Sequence, residues 1–237
     1  MSTLSRTIQG GIGRAVCTGV LAAALLASLV GCETNIRLRE KGQLAAGRGD
    51  YEQARAYFEK AAQRKPTDAL AHYELGKTWL ELDAPLKAQA SLERALVLEP
   101  ANPDLTPQLL DLIAESIYRQ GDYDALHNFF ERTSGAYHTA RDYLRQARYM
   151  VKVGDLDAAA QAYRKAAYYA LPGDASPYLA VADFYESIND TPNAVAALRY
   201  AYYVDPQSQE IADRLRRHGV VPGPTVGEAP PKPQMLR

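Results

Sequence analysis

One pattern constrains this chain more than any other: a set of small and large residues returns after 34 positions. Gly42, Ala54, Phe58, Ala61 and Pro66 reappear as Gly76, Ala88, Leu92, Ala95 and Pro100. Carried along the chain, the register divides it into five units, 35–68, 69–102, 107–139, 140–174 and 175–206. The eighth position reads Gly42, Gly76, Ala114, Ala147 and Ala182, and the twentieth reads Ala54, Ala88, Leu126, Ala159 and Ala194. The twenty-fourth is large, as Phe58, Leu92, Phe130, Tyr163 and Leu198; the twenty-seventh is small again, as Ala61, Ala95, Thr133, Ala166 and Ala201. Two helices of a hairpin approach closely where small side chains face each other. A large side chain then fills the gap, and a second small one admits the next unit.

Turn residues punctuate the units where the register requires. Gly49-Asp50, Gly121-Asp122 and Gly154-Asp155 place a glycine for the left-handed end of a first helix and an aspartate to cap the second. Units two and five carry Pro85 and Pro192 early in the second helix, where proline is tolerated. Pro66, Pro100, Pro172 and Pro206 end second helices, because proline cannot continue one. The third unit departs from the pattern. It has an apparent insertion, Pro103 to Thr106, larger residues at Leu126 and Thr133, and no terminal proline. A local widening is expected there. Residues 207–218 read as one further amphipathic helix, with Ile211 and Leu215 on one face and Arg214, Arg216 and Arg217 outside, and Gly219 stops it. Such an end cap gives a repeat stack a polar face toward water. The segment 219–237 is rich in proline and reads as an extended, disordered tail.

A 34-residue period built from these residue classes resembles the tetratricopeptide repeat (TPR). The resemblance implies an all-α fold, a TPR solenoid in which helix hairpins wind into a right-handed superhelix, closed by a C-terminal capping helix. It also implies a concave face formed by first helices at the second, fifth, ninth, twelfth and thirteenth positions. Carried onto this chain, that face includes Arg39, Gln43, Tyr73, Lys77, Asp111, Glu115, Tyr118, Arg119, Arg141, Arg148, Lys152, Asp183 and Glu186. Unit four brings cations and unit five acids, an order that suits an extended peptide of mixed charge. One TPR subclass clamps a chaperone's C-terminal carboxylate with basic and asparagine side chains. Arg39 and Gln43 match it in part, but Glu74 stands where a donor is needed, so that role is rejected.

The first 31 residues belong to another kind of segment. Arg6 and Arg14 are the charged residues of a polar start, and Ala15 to Val30 is an uncharged apolar run. This is the layout of a secretory signal, and the run is shorter than the about 20 apolar residues of a stable membrane span. It ends in Leu29-Val30-Gly31-Cys32, which resembles the lipobox of bacterial lipoproteins. That resemblance implies cleavage before Cys32, lipidation of its thiol, and a mature chain held by palmitate-type acyl chains to a bilayer in the cell envelope, facing the periplasm. Glu33, in place of an aspartate, favours the outer over the inner membrane under the enteric rule. Of the two cysteines, Cys17 lies in the discarded segment, so no thiol remains for a disulfide, metal site or nucleophile.

Catalytic patterns are missing. His72, His127, His138 and His218 have no metal-ligand spacing, and no phosphate loop or nucleophile motif occurs in the mature segment. A net charge of −1, or −3 once Arg6 and Arg14 are removed with the signal, argues against nucleic-acid binding. The 16 tyrosines are the one unusual count. Tyr143 and Tyr178 at the fourth position, Tyr185 at the eleventh and Tyr163 at the twenty-fourth serve packing. Tyr168-Tyr169 and Tyr202-Tyr203 end second helices, where only part of each pair can be buried. These features point to a non-catalytic scaffold without cofactor. Its expected partners are another envelope protein or an extended peptide segment, and the lipid bilayer. Repeat number and length resemble the TPR lipoproteins of type IV pilus biogenesis. An alternative is an accessory to murein enzymes or a glycan binder that uses its tyrosines.

Overall fold

The computed structural model describes residues 34–230; the signal segment, Cys32 and residues 231–237 lie outside them. The described residues form eleven α-helices and no strand, arranged as the expected TPR-type hairpins. They fall into two compact units divided after Pro100. In the first, α1 (Asn35–Gly47) pairs with α2 (Tyr51–Arg64) and α3 (Ala69–Glu81) with α4 (Pro85–Leu98). The second contains the hairpins α5 (Leu105–Gln120) with α6 (Tyr123–Tyr137), α7 (Ala140–Val153) with α8 (Leu156–Tyr168), and α9 (Ser176–Ser187) with α10 (Thr191–Val204). Helix α11 (Gln209–Arg217) follows and packs on α10.

The turns form as their residues dictate. Gly49, Gly121 and Gly154 adopt φ of +78°, +73° and +83°. Asp50, Asp122 and Asp155 then accept the backbone N–H of Gln53, Ala125 and Ala158 at 3.0, 2.9 and 2.9 Å, capping the second helices. The second and fifth hairpins make the same left-handed turn without glycine. Asp83 (φ 52°) and Asn189 (φ 60°) supply it, being among the residues that tolerate this region best. Pro85 opens α4 and Pro192 lies at the start of α10, where Asp190 also caps by accepting from Asn193 N–H at 3.2 Å.

Close packing explains the small residues. A Cβ added at Gly42 would lie 2.5 Å from Phe58 Cε1, and one at Gly76 would lie 2.5 Å from Leu92 Cγ. In both hairpins the eighth-position glycine is therefore filled by the large residue at the twenty-fourth. Ala114, Ala147 and Ala182 are buried at the equivalent place, as are Ala54, Ala88, Ala159 and Ala194. The third hairpin differs. Helix α5 starts at Leu105 and so absorbs two residues of the apparent insertion, with Asn102 Oδ1 accepting the N–H of Asp104 and Leu105 at 3.1 and 3.0 Å. Leu109, Leu110, Ile113, Leu126, Phe129 and Phe130 are all buried, and these larger side chains hold α5 and α6 further apart than other hairpin partners. No proline ends α6; His138 does so in a left-handed conformation at φ 48°.

Within each unit, consecutive first helices touch: α1 with α3, α5 with α7, and α7 with α9. Within each unit, consecutive second helices make no such close backbone approach among the described residues. The first helices of each unit therefore form its inner layer, where neighbouring repeats converge. The segment after α11 has no regular structure, but through residue 230 it does not run free as the sequence suggested. Glu228 N–H donates to Arg199 O on α10 at 3.3 Å, and Gly227 lies so close to Tyr203 that an added Cβ would sit 3.1 Å from its Cα. A glycine is what permits this approach.

Candidate interaction surface

In the first unit the inner face is built from α1 and α3. Gln43 Nε2 donates to Glu74 Oε1 at 3.0 Å, and Lys77 pairs with the same carboxylate at 3.4 Å while its ammonium lies 5.1 Å from the Tyr73 ring centre. Burial is the main reason the Tyr73 phenol titrates above its ordinary range, with Glu74 adding to it and Lys77 opposing. Arg39 pairs at 3.5 Å with Asp68, to which Asn35 also donates. The predicted residues of this unit thus sit together, but Glu74 and Asp68 already organise their polar groups.

The second unit holds the denser arrangement. Helix α7 turns Arg141, Arg145, Arg148 and Lys152 toward α5. Asp111 on α5 receives three guanidinium groups: Arg145 at 2.5 Å, Arg141 at 3.4 Å and Arg148 at 3.6 Å. Glu115, one turn later, accepts from Arg119 at 2.7 Å, from the Tyr149 hydroxyl at 2.9 Å and from Lys152 at 3.4 Å. Burial pushes the Glu115 carboxyl up, but these donors outweigh it and hold the group below the usual glutamate range. Burial, aided by Glu115, pushes the Tyr149 phenol well above its ordinary value. Lys152 also lies over two rings, 5.0 Å from Tyr118 and 4.5 Å from Tyr149.

Two classes of cation meet here. Arg145 is 1% exposed, donates to Asp142 at 2.7 Å and to Pro107 O at 3.3 Å, and is a buried structural clasp between α5 and α7. Arg141, Arg148 and Lys152 are 60%, 61% and 46% exposed and reach the α5 carboxylates only at 3.4–3.6 Å. Exposed pairs of that kind contribute about 0–1 kcal/mol and exchange readily.

The predicted acids of unit five are engaged from the C-terminal side. Arg214 on α11, 7% exposed, pairs with Asp183 at 2.6 Å and donates to Glu186 at 2.9 Å, and Glu186 also meets His218 Nε2 at 2.7 Å. Burial raises the Glu186 carboxyl, yet the contacts with His218 and Arg214 prevail and lower it. Arg214 was expected on the outer side of the last helix; its burial against α9 makes α11 an ionic as well as an apolar cap. Arg145, Tyr149 and Arg214 are the residues that position counting passes over. One signal was available for two of them, since Arg145 follows Asp111, and Tyr149 follows Glu115, by 34 residues.

The tyrosines divide as their places in the hairpins imply. Tyr143, Tyr149, Tyr163 and Tyr178 are buried, and Tyr169 stacks on Tyr143 with centroids 5.2 Å apart. Tyr168 and Tyr203 are 51% and 56% exposed.

A family model described as Tetratricopeptide repeat matches residues 45–106. No curated protein matches the sequence. Among solved structures the chain is similar to MamA protein, with 20% identity and a TM-score of 0.53 over 81% of this chain and 99% of that one. It is also similar to the C-terminal part of a TPR repeat-containing protein from Cytophaga hutchinsonii, with 20% identity and a TM-score of 0.56 over 85% of each chain. Yeast Tom70 gives 18% identity and a TM-score of 0.56 over 79% of this chain and 39% of its own. At these identities the likeness establishes the fold: TPR hairpins, an architecture of protein–protein interaction scaffolds.

Proposed function

We propose that this chain is a lipid-anchored scaffold, facing the periplasm, that holds another envelope protein by an extended segment lying along the first-helix layer and assists assembly of a complex. The observation that carries the binding half is the pair of cation classes on α7. The layer is fixed by buried Arg145, while Arg141, Arg148 and Lys152 present half-exposed groups whose internal pairs cost little to exchange. A rigid surface with exchangeable charges binds without first refolding. The anchoring half rests on Leu29-Val30-Gly31-Cys32 after an uncharged apolar run. Several acyl chains on Cys32 give stable attachment where one is marginal. Repeat number and chain length favour pilus- or secretion-type assembly within this class, and Glu33 favours the outer membrane.

Fractionation and crosslinking in the source cells test both halves. Cys32→Ser should move the protein from the membrane to the soluble fraction; continued sedimentation with membranes refutes the tether. A photo-crosslinker at position 151, exposed on α7 between Arg148 and Lys152, should join the intact protein to one envelope protein, and a profile like that of a crosslinker at exposed Arg164 on α8 refutes the scaffold reading.

A further inference from the structure

The α7 face carries more positive charge than its neighbours can satisfy, and this determines what chemistry fits it. Arg141, Arg148 and Lys152 share two carboxylates, Asp111 and Glu115. Both are already committed, Asp111 to buried Arg145 and Glu115 to Arg119 and the Tyr149 hydroxyl. The acids that follow these cations in the mixed-charge expectation, Asp183 and Glu186, pair with Arg214 on α11 and not with the α7 cations. We propose that the segment bound along α7 is acidic, an extended peptide that presents two carboxylates on the same side to Arg148 and Lys152. This rests on the scaffold reading above and sharpens it.

Spacing supports that choice. Arg148 and Lys152 are one helical turn apart, about 6 Å along the axis at 1.5 Å per residue. Alternate residues of an extended chain point the same way and lie about 6.8 Å apart. Acids at positions i and i+2 therefore reach both cations together. A nucleic acid fits less well, because three exposed cations neutralise few phosphates and the whole chain has a net charge of −1.

The internal carboxylates then act as weak competitors of the peptide, so the two kinds of variant have opposite effects. In the mature, unlipidated chain, fluorescence anisotropy would follow a labelled peptide with glutamates at alternate positions, and a second with glutamines in their place. The glutamate peptide should bind at least 10-fold more tightly at low salt and lose that advantage in high salt. Arg148→Gln with Lys152→Gln should abolish the preference, whereas Glu115→Gln, which frees Lys152, should tighten binding about 3-fold. Arg164→Gln, an equal charge change on α8, should leave it unchanged. Equal affinity for the two peptides overturns the proposal, as does equal weakening by Arg164→Gln. Tighter capture of purified murein or of single-stranded DNA than of the glutamate peptide also overturns it. If envelope crosslinks at position 151 persist while the glutamate preference is absent, the acidic assignment fails and the scaffold reading survives. Preference without any envelope crosslink has the reverse meaning.

Discussion

Replacing Arg145 by methionine should cost about 3 kcal/mol of stability, near the lower end of the 3–5 kcal/mol that follows loss of one partner from a buried ion pair. The reason lies in the two carboxylates it leaves behind. Asp142 is only 7% exposed, so its charge is stranded in a poorly solvated place with Thr139 as its remaining side-chain donor. Asp111 is 35% exposed and keeps Arg141 and Arg148, so water and those guanidinium groups absorb most of its loss. Methionine replaces the apolar stem, and the cost is therefore electrostatic more than steric. Urea denaturation followed by far-UV circular dichroism gives the magnitude, and amide exchange in α5 and α7 localises it. Combining Arg145→Met with Asp142→Asn removes the stranded charge, and the double variant should be less destabilised than the two single changes together by about 1–2 kcal/mol. A single variant within about 0.5 kcal/mol of the parent, the range of ordinary surface changes, refutes the clasp. So does strict additivity.

Gly76→Ala gains helix propensity of about 1 kcal/mol but drives a methyl to 2.5 Å from Leu92 Cγ, so a net loss of about 1–2 kcal/mol is expected in the same denaturation assay. Glu115 and Glu186 both titrate below their ordinary range when folded. The stability they contribute is present above the unfolded glutamate value of about 4.3 and is lost as pH falls through the lower folded values. Melting temperature should thus drop more steeply below pH 4 in the parent than in Glu186→Gln. Gly227→Val should lift the C-terminal segment from Tyr203 and speed proteolysis within 220–230, leaving helical content unchanged.

The hairpin architecture was legible because each repeat states it with residues that allow few alternatives. A buried small side chain at Gly42 or Ala147 and a filler at Phe58 or Leu92 describe one packing contact, repeated. The ionic layer was less legible, since which acid meets which cation depends on the offset between neighbouring first helices. The third unit spans one residue fewer than the repeat period, which puts Arg145 at the sixth position and off the expected face. Its long side chain, directed back toward the start of its helix, recovers Asp111 nonetheless. The return of 220–230 across α10 was hidden for a different reason. Proline-rich composition speaks to helix and strand formation, and the contact at Gly227 is made by a residue without a side chain, mainly against the Tyr203 backbone.

The joint between the third and fourth repeats limits how this chain can be rearranged. Between the first and second repeats the polar contact from Gln43 to Glu74 is exposed, and a similar repeat could lose it at little cost. At the later joint the fourth repeat contributes a guanidinium that is out of water on its own side, and the third contributes the carboxylate and the Pro107 carbonyl that receive it. A duplication or deletion that separates them, or a truncated protein that begins at α7, would carry half of a lock. Such arrays gain or lose length safely only where the seam is apolar, and here the two repeats have to be inherited as one piece.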